Sequence, residues 1–411
     1  MSTPIYDIII VGGGIAGLYT AYCAIKRDPN RKILILEKDN RLGGRMYTYQ
    51  EKDFPGPIEY GAGRFHKGHT LLVRLIDDLG MKSKMNPIIP TLELPIMKQL
   101  MEQIIQKYHQ RKNDQDIELS FQEYVVKKLF VTSEEMKFIE SQYGYSAELS
   151  LMNMKDAMVL IEDMRSHTYY GLGGGFSQII DKLEDILNKK KCHILKTTPV
   201  KIVKQTTWDK DQTGFLVQTE NGEKFMSKKC VLAVPKEALT KFSILRPIKD
   251  KLNSITTTPL CRIYAQYEPD KDGDYWFQGM GKVTVPNTLR YVIPYNQEKG
   301  VIMISYTDDK YAKWWHRIWK HEGVSSVKSH LHSLVKATFP WANAKTPRKL
   351  KIAYWDAGVA FWKTGIKNSK SLAKEIARPL GNHIELYICG ENYSPMQQWI
   401  ESALITCPLK I

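Results

Sequence analysis

The chain has 411 residues, 43% hydrophobic and 25% charged, which suits two domains better than one and excludes a disordered protein. Lys and Arg outnumber Asp and Glu by 59 to 44, a formal charge of +15, but the basic residues fall in short groups (Lys189 to Lys191, Lys228-Lys229, Arg348-Lys349) with no nucleic-acid motif, so nucleic acid is not expected as a partner. The six cysteines are scattered without a Cys-x-x-Cys pair or zinc spacing, no signal peptide or run of roughly 18 apolar residues stands out, and Leu409-Lys410-Ile411 is neither a peroxisomal nor a lipidation signal; a soluble, cytoplasmic protein without a metal or a membrane anchor is expected.

In chain order, Asp7 to Val11 reads as a buried parallel strand, followed by a glycine turn and a helix from Ile15 to about Ile25. Lys32 to Leu36 reads as the next strand, completing one βαβ unit. From His69 to Met164 the pattern is mostly helical, and Gly80 suits a helix C-terminus. Strands are expected at Lys201 to Val203 and Phe215 to Val217, with Asn221-Gly222 as a hairpin signal, and again at Lys229 to Val234 before Pro235. Cys261 to Tyr267 and Val301 to Tyr306 read as strands and Tyr311 to Trp341 as helix. Leu386 to Cys389 is a last buried strand, and a short helix follows Trp399. The strand-rich pieces at the start, middle and end point to a discontinuous domain, with helices and a second sheet between them.

Gly12-Gly13-Gly14-Ile15-Ala16-Gly17 matches G-x-G-x-x-G. Gly12 permits a tight turn, Gly14 lets a pyrophosphate approach the backbone, and Gly17 allows close packing of helix on strand. The helix N-terminus adds free N–H groups and a positive dipole end. The context is that of a dinucleotide site: a strand before, a helix after, and Glu37 closing the next strand about 20 residues on, placed for a ribose diol. Lys38 follows it. Arg41-Leu42-Gly43-Gly44-Arg45 adds a second phosphate-approach loop, in which Arg45 can neutralise a diphosphate.

The glycine turn, Glu37 and the Gly43-Gly44-Arg45 run together resemble the FAD-binding signature of the flavin-containing amine oxidases, which include monoamine, polyamine and L-amino-acid oxidases. Glu59 to Phe65 resembles the family segment beside the flavin ring, through Gly61, Ala62, Gly63 and Arg64. Tyr170 to Phe176 resembles its middle glycine motif, Val200 its backbone contact to adenine, and Val231 to Pro235 its strand ending in proline. Gly390 and Glu391, with Trp399, Ile400 and Ala403, resemble the C-terminal segment that holds ribityl and phosphate. The resemblance implies an α/β protein, α+β overall. Its parts are a Rossmann-type FAD-binding domain (1–65, 171–240 and 350–411) and a discontinuous substrate domain of helices plus a mixed sheet (66–170 and 241–349).

It also implies oxidative deamination of an amine or L-amino acid by hydride transfer to the flavin, with molecular oxygen as a candidate acceptor. In the amino-acid oxidase branch an arginine at the position of Arg64 holds the substrate carboxylate, a task its planar fork suits; the other reading of Arg64 is an arginine paired with protein or cofactor. Trp399 stands at one aromatic wall of the family's substrate site, and Phe361 or Trp362 is expected at the other; core packing is the competing reading of all three. Two departures stand out. Arg262, on the strand Pro259 to Tyr264, replaces the family's usual lysine and stays charged, so it is no base. Asp356 to Phe361 lacks the cysteine that attaches FAD in the monoamine oxidase branch, so noncovalent FAD is expected. Gln398 and Ser402 also stand where the family has glycines. An FAD-dependent desaturase or other oxidase, and a flavin-binding protein without activity, remain open alternatives.

Overall fold

A computed structural model describes residues 4–88, 94–111, 117–208 and 212–409; Lys410 and Ile411 of the C-terminal reading lie outside the described residues. Ile5–Val11 is the centre of a seven-stranded sheet. It runs parallel to Ile33–Leu36 on one side, itself parallel to Cys192–Leu195, and to Lys224–Leu232 on the other. Lys224–Leu232 serves two neighbours. Its first half pairs antiparallel with Gln212–Thr219, which continues into Val200–Trp208, and its second half runs parallel to Leu386–Ile388. Side chains alternate across a strand, so Ile8 and Ile10 enter one core with the helices Ile15–Arg27 and Ser177–Asn188. Ile9 and Val11 enter another with Leu34, Leu36 and Leu232. Covered on both faces, these strands read as unbroken apolar runs, as expected for a parallel sheet.

The second sheet is antiparallel throughout, ordered Val283–Thr284, Tyr291–Asn296, Val301–Asp308, Ile255–Gln266 and Lys349–Trp362. Asp309–Thr338 covers it with Trp315, Ile318, Val327, Leu331 and Val335, and breaks at Gly323, where φ is +84°. The helical layer comprises Pro95–Arg111, Phe121–Leu129, Ser133–Gln142, Ser146–Ser150 and Met154–Ser166. Reciprocal caps set two of its starts, Ser120 with Glu123 and Thr132 with Glu135.

Residues 350–362 were grouped above with the nucleotide-binding part, as the strand Lys349–Trp362 without its first residue. That strand pairs with Ile255–Gln266 along nearly its whole length, and at its end Ala360 and Trp362 join the core that holds Ile9 and Val11. All six cysteines are free and buried. Among the described residues no helix is long and apolar enough to cross a membrane.

Candidate active site

The first glycine turn is shaped by its own packing. A Cβ on Gly17 would fall 2.1 Å from the Gly12 carbonyl oxygen, and one on Gly12 (φ +108°) 2.4 Å from that of Ala233. Gly14 differs: a Cβ there would meet nothing within 4 Å. Gly14 is also the N-cap of Ile15–Arg27, with no side chain capping the helix and no acid in its first turn. The turn therefore leaves an open, electropositive space at a helix N-terminus, the setting an anionic diphosphate fits. Glu37 is buried beside it and accepts the Gly13 N–H at 2.7 Å and the Asp39 N–H at 2.9 Å. The chain before Val200 docks on the same edge through Thr198 N–H to Glu37 O, 2.7 Å. The Lys38 side chain points out to Asp39 at 2.7 Å, leaving only its backbone at the edge.

The second glycine loop lies against the first: the Gly43 N–H donates to Gly13 O at 2.9 Å. Arg45 binds the buried Glu391 at 2.8 Å and Gly358 O at 2.9 Å. Glu391 in turn accepts the backbone N–H of Gln398 at 2.9 Å. Gln398 adopts a φ of +79°, so the left-handed turn that favours glycine is retained with a glutamine in it. Ser402 Oγ accepts the Trp399 N–H at 3.2 Å and helps fix that ring's backbone. One residue earlier, the Glu401 carboxylate accepts the Leu71 and Leu72 N–H groups at 3.0 and 2.8 Å, tying the last helix to Thr70–Asp78. Glycine is obligatory at 61, where a Cβ would lie 1.7 Å from Arg45 O, and the Ala62 N–H fastens to that oxygen at 3.0 Å.

This same segment meets the substrate side. Glu59 is buried and accepts from Thr48 Oγ1 and the Phe176 N–H, linking it to the middle glycine motif. Burial raises its carboxyl to about 7, against these donors and Arg262. The Glu59 carbonyl accepts Arg262 Nη1 at 2.9 Å and Tyr264 OH at 2.7 Å, and Arg262 Nη2 donates to Tyr306 OH at 3.1 Å. Burial alone would raise the Tyr306 phenol, but the Arg262 charge and hydrogen bonds from Arg262 and Tyr145 outweigh it and lower it.

Arg64 enters a chamber of rings. Its guanidinium lies 4.8 Å from the Tyr169 centroid and 5.6 Å from that of Trp399, and those two rings are near-parallel at 5.7 Å. Tyr145 stands edge-on to Tyr291 and Tyr306 at 4.9 and 5.3 Å. Phe361 shares the core of Trp399, whereas Trp362, next along the strand, turns to the opposite face and donates Nε1–H to Ser394 O at 3.0 Å. The ring stacked on Trp399 is thus Tyr169, a residue outside the expected pair of Trp399 with Phe361 or Trp362.

The first and second glycine loops, Glu37, Gly61 to Arg64, Glu391 and Trp399 are linked by direct contacts, with Arg262 against Glu59 and Gly63. Sequence reasoning passed over Tyr143, Tyr145, Glu148, Tyr169, Lys282, Tyr291 and Tyr306, which carry no motif and come from separate stretches of the chain. The signal was faint: a glutamate within Tyr143 to Leu151, where apolar and aromatic residues crowd.

A Rossmann sheet with an open glycine turn at a helix N-terminus is the architecture of a dinucleotide-binding protein. The chain belongs to the flavin containing amine oxidoreductases, whose sequence profile matches residues 96–404, preceded by an NAD(P)-binding Rossmann-like domain over residues 10–79; it is an FAD-dependent oxidoreductase of that family. It is similar to an uncharacterized protein of Acanthamoeba polyphaga mimivirus, 24% identical over 97% of this chain and 92% of that one. The L-amino-acid oxidase of Mus musculus is 38% identical over 18% of this chain and 11% of its own length. Flavin-containing amine oxidase A of Equus caballus is 30% identical over 20% and 15%. The chain therefore spans only a small part of these last two relatives. In fold it resembles putrescine oxidase bound to putrescine, with a TM-score of 0.75 and 16% identity over 99% of this chain and 98% of that one.

Proposed function

We propose that the protein oxidises a small α-amino acid, whose carboxylate Arg64 holds inside the aromatic chamber. One observation carries this reading. Arg64 lies deep in the protein yet partly accessible, its guanidinium is stacked on Tyr169 and Trp399, and among the described residues no ion pair to it is formed. A buried charge left without a partner is costly, and a substrate carboxylate removes that cost with a planar, two-pronged hydrogen bond.

The residues present fit FAD. Gly12, Gly14, Ile15, Ala16 and Gly17 would receive the diphosphate on backbone amides, with Gly44 and Arg45 opposite. Glu37 would bind the ribose, and the backbone at Val200 the adenine. Gly61 to Gly63, Gly390, Glu391, Ile400 and Ala403 would line the rest. FAD, when bound, supplies the acceptor for a hydride from the substrate α-carbon, with molecular oxygen as the final acceptor. Attachment is noncovalent in this reading, since the strand end Asp356 to Phe361 offers no cysteine. Trp399 and Tyr169 orient the substrate and exclude water, so the chain's part is positioning. Arg262 is held by Glu59 O and Tyr306 OH and stays protonated, so it props the segment Glu59 to Gly63 instead of moving a proton.

The test is an anaerobic titration of the oxidised flavin band with α-amino acids and with the matching amines that lack the carboxylate. Amino acids bleach the band and the amines do not, and Arg64→Ala raises the concentration needed roughly 100-fold, the scale of a lost buried ion pair. Equal bleaching by the amines would overturn the assignment of Arg64. A band that no donor bleaches would favour a flavin-binding role without turnover, with Arg262 as its cause.

A further inference from the structure

Lys282 and Glu148 lie deep in the protein, joined electrostatically to Arg64 and to each other. The Lys282 ammonium sits 3.8 Å from the Tyr291 centroid. Tyr291 is edge-on to Tyr145, and Tyr145 to Tyr306, so one run of rings leads from Lys282 to Arg262. Among the described residues no carboxylate lies within 4 Å of Lys282. Glu148 Oε2 accepts Tyr143 OH at 2.6 Å, and its other oxygen has no hydrogen-bond partner among the described residues. Lys282 is nonetheless partly accessible, so its ammonium is free to meet a ligand.

Three charged groups therefore lie close together, one of them buried and two partly so, without forming an ion pair. Burial costs each of them, and protein interiors pair such groups unless a ligand does so. Resting on the reading of Arg64 as the α-carboxylate anchor, we infer that Lys282 is a second anion anchor and that the substrate is a dicarboxylic α-amino acid. Charge decides between side chains. Arg64 and Lys282, when protonated, carry two positive charges against one on an ionised Glu148, while Arg262 is engaged apart from them by the Glu59 carbonyl and Tyr306 OH. A dicarboxylic amino acid with its ammonium group brings one net negative charge and closes the balance. A neutral amino acid leaves one positive charge buried, and a basic one leaves two. Glu148 then faces the substrate ammonium.

The FAD-loaded protein is titrated calorimetrically with glutarate and with pentanoate, which share a chain length, carry no amine to oxidise, and differ by one carboxylate. Flavin reduction by glutamate, glutamine, leucine and lysine is followed alongside, for the wild type, Lys282→Met and Arg64→Ala. Glutarate is expected to bind at least tenfold tighter than pentanoate, and glutamate to reduce the flavin at correspondingly lower concentration than glutamine. Lys282→Met erases both differences, while a far-ultraviolet circular dichroism spectrum matching the wild type reports an intact fold. Equal affinity for the two acids, or a preference for leucine or lysine over glutamate, would overturn the Lys282 assignment and leave Arg64 standing. Failure of both acids to bind, or binding unaffected by Arg64→Ala, would overturn both.

Discussion

Glu148 and Lys282 give stability opposite dependences on pH. Burial, with Asp308 nearby and against the Tyr143 hydrogen bond, raises the Glu148 carboxyl from its ordinary 4.5 to about 7. Burial, reinforced by Arg64, lowers the Lys282 ammonium from 10.5 to about 7. The folded state holds the Glu148 proton more tightly than the unfolded state, so this group removes stability as pH rises from 4.5 to 7. The folded state holds the Lys282 proton less tightly, so that group restores stability as pH rises from 7 to 10.5. The two together place a minimum near neutrality. The urea midpoint of the flavin-free protein, followed against pH, is expected to lose its upper rise in Lys282→Met. In Glu148→Gln part of the lower fall remains, because Glu59 and Asp308 are also raised by burial, to about 7 and about 6. Each variant should shift stability near pH 7 by on the order of 2 kcal/mol; a flat difference across pH would refute the shifts.

Within the βαβ unit, glycine means two different things. At Gly17 any side chain collides with the Gly12 carbonyl, so Gly17→Ala should destabilise the flavin-free protein by about 2 kcal/mol or more, read as a lower melting temperature. At Gly14 the space is open, and a serine there would cap the helix. Gly14→Ser should leave flavin-free stability within a few tenths of a kcal/mol while weakening FAD binding at least tenfold, since the side chain occupies the approach to the amides. A normal FAD affinity in Gly14→Ser would show that the diphosphate lies elsewhere. This unit was legible in the sequence because strand, turn, helix and acid follow one another within a few tens of residues, and local chemistry determines them. The Asn221-Gly222 hairpin, the helical stretch and the final strand were legible for the same reason. Lys349–Trp362 was not recognised as a strand of the second sheet, because no local signal says which strand it pairs with, and its partner lies some ninety residues earlier in the chain. The chamber was hidden for a related reason: Arg64, Glu148, Lys282 and Tyr306 converge only through packing. Trp362 shows the converse limit, since an aromatic cluster in sequence alternates across a strand and half of it turns away.

At the scale of the whole molecule, Lys349–Trp362 ties the two sheets together, hydrogen-bonded in one and packed under the other at Ala360 and Trp362. Arg45, Glu391 and Gly358 O cross the same junction. A ligand lying along this seam should therefore stabilise both sheets at once. Saturating FAD at about 100 times its dissociation constant adds about 2.7 kcal/mol, and the melting curve should move up as a single transition; two transitions, only one of them shifted, would count against a shared seam. Acid precipitation of the loaded protein should leave the yellow colour in solution, and a coloured pellet would refute noncovalent attachment. The glycine turn also bears on inheritance. Steric necessity keeps glycine at 12 and 17 in any descendant that folds, flavin or no flavin, so those two positions are silent about use. Nothing in the packing demands glycine at 14, where several small residues would fold as well. A lineage that had abandoned its cofactor would be free to drift there first, which makes position 14 the place to look when asking whether a relative of this chain still carries flavin.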